Sequence, residues 1–83
     1  MDINRAVAAV ETFVKAFTSS GATATEIQVR PSGDDLDVIK IWADLGSSKV
    51  DTAAWAKALE AAIKTSVPEA KGFTLAIRAE AGG

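Results

Sequence analysis

Apolar residues return every three or four positions near the start of the chain, at Ile3, Val7, Val10, Val14 and Phe17, with Phe13 widening the stripe. That is the period of an amphipathic helix. Asn4, Glu11, Thr12 and Lys15 fall towards the opposite side. Asp2 suits the N-cap, and Ser19-Ser20-Gly21 supplies a stop. From Glu26 the period changes to two: Ile27 and Val29 alternate with Glu26, Gln28 and Arg30, which predicts a strand with one dry face. Pro31-Ser32-Gly33-Asp34 provides turn chemistry, so this strand and the segment Asp35–Leu45 should form a hairpin.

After Gly46-Ser47-Ser48 a second helical stripe runs through Trp55, Ala58, Leu59, Ala62 and Ile63 towards Val67. Either Ser48 or Asp51 can cap it, and Pro68 stops it. Phe73, Leu75, Ile77 and Ala79 then alternate with Thr74, Ala76, Arg78 and Glu80 as a half-exposed strand. The resulting order is α-β-β-α-β in one α+β domain spanning 1–83, with two helices packed on one face of a three-stranded sheet. The crossover through the second helix makes the last two strands parallel, with right-handed connection expected. The favoured spatial order is 2-1-3 with antiparallel neighbours, which leaves Asp35–Leu45 on an edge open to another chain. Order 1-2-3 would place it in the middle.

Asp35–Leu45 stands apart because it is apolar on both faces. One parity carries Ile39, Ile41, Ala43 and Leu45; the other carries Leu36, Val38, Lys40 and Trp42. Two helices cover one side of a sheet only. Trp42, Val38, Lys40 and Leu36, with Arg30 and Arg78 from neighbouring strands, are therefore the candidate binding residues. Tryptophan and arginine are enriched where protein interfaces concentrate their energy. The alternative for Trp42 is a ring lying flat under the stems of Lys40 and Arg30. Trp55, inside a helical stripe, reads as core.

Composition narrows the function classes. With 83 residues and neither Cys nor His, the chain has no disulfide, no thiolate for zinc and no imidazole base. Self-association is a common source of stability at this size. The net charge of −2 comes largely from Asp34, Asp35 and Asp37, and no basic excess marks a duplex nucleic-acid binder. That acidic cluster lacks calcium-loop spacing and reads as a solvated turn. Gly46-Ser47-Ser48-Lys49 lies ahead of a helix but is no phosphate-binding loop; a cap accounts for it. The opening Met-Asp-Ile-Asn-Arg lacks the flank and apolar core of a signal peptide. A cytoplasmic, non-enzymatic protein without cofactor, metal, membrane or small-molecule substrate is expected. Its partner would be a protein, either a second copy in a homodimer or a larger chain it regulates, adapts or inhibits.

Two resemblances supply alternatives. The terminal Gly82-Gly83 resembles the tail of ubiquitin-like sulfur carriers, and implies a carboxylate that is adenylated and then thiolated or conjugated. That family opens on the hairpin instead of a helix, and the match covers two residues. The helix-strand-strand opening is similar to helix-first KH-like RNA-binding domains, which implies RNA as the partner; separately, a sheet-surface platform would put Trp42 under bases with Lys40, Arg30 and Arg78 near phosphates. Those domains carry two central helices joined by Gly-x-x-Gly, a motif missing from this chain.

Overall fold

The computed structural model describes residues 3–34 and 37–81. Asp2, Leu36, Asp35 and the Gly82-Gly83 tail, to which a cap, a binding contact, an acidic turn and carrier chemistry were ascribed, lie outside the described residues. Helix α1 covers Ile3–Ala16 and buries Ala6, Val10 and Val14, so its stripe includes a small residue the larger side chains had masked. The chain then makes a miniature hairpin, β1 (Thr18–Ser19) against β2 (Ala22–Thr23). Its two central residues, Ser20 and Gly21, take φ of 53° and 78°. Positive φ at both positions is what a primed two-residue turn requires. The residues expected only to stop the helix thus build a second, two-stranded sheet.

The main sheet contains β3 (Glu26–Pro31), β4 (Val38–Asp44) and β5 (Thr74–Glu80). Its order is β3-β4-β5, with β3 antiparallel and β5 parallel to β4. This corrects the order 2-1-3 with antiparallel neighbours: the Trp42 strand is central and is no edge. The reason is the division of cover. Helix α1 packs over β3, and α2 (Thr52–Ser66) packs against β5. With the β3 half already roofed, the crossover returns on the free edge of β4. The β4–β5 ladder is unbroken from Val38↔Thr74 to Asp44↔Glu80. It is extended by Thr74 N–H to Asp37 C=O at 2.7 Å and by Leu45 N–H to Glu80 C=O at 2.7 Å.

Asp51, and not Ser48, caps α2; its Oδ1 accepts from the amides of Ala53 at 3.0 Å and Ala54 at 3.3 Å. Pro68 ends the helical run, since it has no N–H to give, and a 3-10 turn at Pro68–Ala70 packs its buried Ala70 towards α1. The core gathers Val10 and Val14, Ile39, Ile41 and Ala43, and Leu59 and Ile63 around Trp55, which is 1% exposed. The Trp55 ring meets Phe17 edge-on at 5.3 Å, and its Nε1–H donates to Ala22 C=O at 3.0 Å. That bond ties the small hairpin to α2. Among the described residues no helix is long and apolar enough to cross a membrane.

Both the indole bond and the helix cap can be weighed by substitution. Trp55→Phe removes the indole donor while Thr18 Oγ1 still donates to the Ala22 carbonyl at 3.2 Å, and should lower unfolding free energy by about 1 kcal/mol in urea titration. Asp51→Ala, which removes the cap, should cost about 1 kcal/mol in the same measurement.

Candidate docking face

Side chains alternate across β4 without exception: Ile39, Ile41 and Ala43 are buried, whereas Lys40 is exposed and Val38, Trp42 and Asp44 are half-buried. Neighbouring strands follow the same parity. Glu26, Gln28 and Arg30 on β3 and Thr74, Ala76, Arg78 and Glu80 on β5 are all exposed. Both helices contribute to the core on the other side. The molecule measures 37 × 24 × 17 Å, and its short dimension holds one sheet plus one layer of helices.

The strand register arranges the open face into rows. Gln28, Trp42 and Arg78 lie side by side, as do Arg30, Lys40 and Ala76, and as do Glu26, Asp44 and Glu80. Trp42 is therefore central, with a basic pair one row away on one side and three carboxylates one row away on the other. An open depression of about 550 Å³ lies over the first two rows. Arg78 Nε contacts Glu80 Oε1 at 2.8 Å along β5; the pair is solvent-exposed and adds little stability. Asp44 Oδ1 accepts from the Gly46 amide at 2.8 Å, which holds that carboxylate at the end of the strand.

Of the candidate binding residues, Trp42, Lys40, Arg30 and Arg78 come together around this depression. Val38 shares the face two rows from Trp42, opposite Thr74. Gln28 and Ala76 also line the depression. Asp44 was not among the candidates, although it follows Trp42 by two residues and so shares its parity. Ahead of α2, the Asp51 carboxylate occupies the first free amides, so the stretch Gly46–Lys49 precedes a capped helix start. Between β4 and β5 the described chain has α2 and one 3-10 turn, where a KH-like domain has two helices.

Comparison with protein-family models, curated proteins and solved structures returns no match for this chain.

The two tryptophans should answer substitution differently. Trp42→Lys removes no core contact on the helix side and should change unfolding free energy by less than about 1 kcal/mol. A larger loss, measured by urea titration beside Trp55→Phe, would place Trp42 with the core.

Proposed function

We propose that the chain is a non-enzymatic protein-docking module of the regulator, adaptor or inhibitor type. It engages a protein through the open sheet face around Trp42. One observation carries this reading: a half-buried tryptophan stands on the central strand of a sheet face that no described element covers. Isolated exposed apolar groups are ordinary, but here Trp42 shares its face with Val38 and the aliphatic stems of Arg30, Lys40 and Arg78. A ring of this size supplies apolar contact while its indole N–H seeks a polar partner. The basic groups around it would give a partner orientation and speed of encounter.

The strand order bears on how docking occurs. Because β4 is hydrogen-bonded on both sides, its backbone cannot accept an added strand. Contact at Trp42 is therefore through side chains, face to face. The residues that carry it are Trp42, Lys40, Arg30 and Arg78, with Val38 at the margin.

Photo-crosslinking tests the reading. A photoreactive phenylalanine analogue at exposed Ala76, on the open face, should yield a discrete protein adduct. The same analogue at exposed Lys57, on α2, should yield none, and Trp42→Lys should abolish the Ala76 product. Equal adducts from both positions, or none from either, would remove the open face as a docking surface.

A further inference from the structure

We infer that the occupant of this face is a second copy of the chain, stacked with its strands antiparallel about a twofold axis that runs along the Gln28–Trp42–Arg78 row. This inference rests on the docking reading above and names its partner.

Charge arrangement selects both the partner and the axis. The acidic row Glu26–Asp44–Glu80 and the basic pair Arg30–Lys40 lie on opposite sides of the Trp42 row, each one row away. Rotation about an axis along the Trp42 row exchanges the two sides while keeping every strand over its own copy. Glu26 of one copy then lies over Arg30 of the other, and Asp44 over Lys40, and symmetry makes each pairing twice. Trp42 meets Trp42 on the axis, where water is excluded first. Arg78 also meets its own copy, with each guanidinium already held by Glu80 at 2.8 Å. The other in-plane axis, along the strands, leaves every row over itself. Glu26 would then face Glu80, and Asp44 and Lys40 would each face their own copies. Like charges opposed in that way cost association energy. The face is thus self-complementary in one orientation and self-repelling in the other.

Area sets the strength. Three strands about 4.8 Å apart and a β4 of seven residues at about 3.4 Å each give a flat footprint of roughly 340 Å². That is under half of the ~800 Å² per partner of a standard-size interface. The dimer is accordingly weak and reversible, dissociating in the micromolar range or above.

Sedimentation equilibrium of the full chain, from about 1 µM to about 1 mM, is the test. The wild type should pass from monomer to dimer. Glu26→Arg alone and Arg30→Glu alone should each weaken self-association at least about fivefold, because each reverses a pairing that occurs twice. An equimolar mixture of those two variants should recover a dimer. The arginine introduced at position 26 of one then faces the glutamate introduced at position 30 of the other, and the second pairing keeps its native Arg30 and Glu26. Circular dichroism of each variant should match the wild type, as both positions are exposed. A wild type that stays monomeric overturns the inference. So does a Glu26→Arg variant that associates more tightly, which is the signature of the other axis. Failure of the docking reading itself is separate: the Ala76 adduct would then be missing altogether, whereas a heterologous partner, which also overturns the inference, would give an adduct whose mass is not twice that of the chain.

Discussion

Strand β4 has a hydrogen-bonded neighbour along each edge but helices against only one of its faces, and the remaining features of the molecule depend on that imbalance. On the covered side Ile39 and Ala43 are wholly buried and Ile41 is 2% exposed. On the bare side the same strand sets Trp42 at the middle of a surface made of arginine, lysine and carboxylate side chains. A chain this short has two helices to spend on cover, and both stripes are used up on the first face.

The two tryptophans show how environment divides one chemistry into two roles. Trp55 has its N–H answered by the Ala22 carbonyl and its ring edge against Phe17, so it joins α2, the small hairpin and α1 into one core. Trp42, half-buried, is flanked across the sheet by Gln28 and Arg78. The charged rows beside it are spaced by the register itself. A β-sheet holds the backbone of such rows at near-constant separation, so the order of acid, aromatic and base along the face is set by the strand register.

Much of this is legible in the sequence, and for a consistent reason. The stripes of α1 and α2 and the alternation of β3, β4 and β5 are local periods, set by how side chains project from a helix or strand. The position of Trp42 opposite the core parity, and of Arg30, Lys40 and Arg78 on the same face, followed from counting by two. Pro68 ended its helix for want of an N–H. The miniature hairpin at Thr18–Thr23 escaped because two-residue strands have no period to detect. Ala6 escaped because a small side chain signals burial weakly; Asp44 lies inside the segment Asp35–Leu45 and shares the parity of Trp42, so counting by two reaches it.

Strand order was a different kind of question. It depends on which half of the sheet α1 roofs, and hence on which edge of β4 is left for the returning chain, a choice between packings whose local patterns are identical. The sequence by itself determined the two helices, the three strands of the main sheet, their inward faces and the placement of Val38 and Trp42 opposite the core parity of β4, because these are properties of neighbouring residues along the backbone. Only the tertiary structure decided that β4 is central and that carboxylates and cations fall into opposite rows about Trp42. Those relations join residues up to 54 positions apart, Glu26 to Glu80, and exist only once three strands share a register.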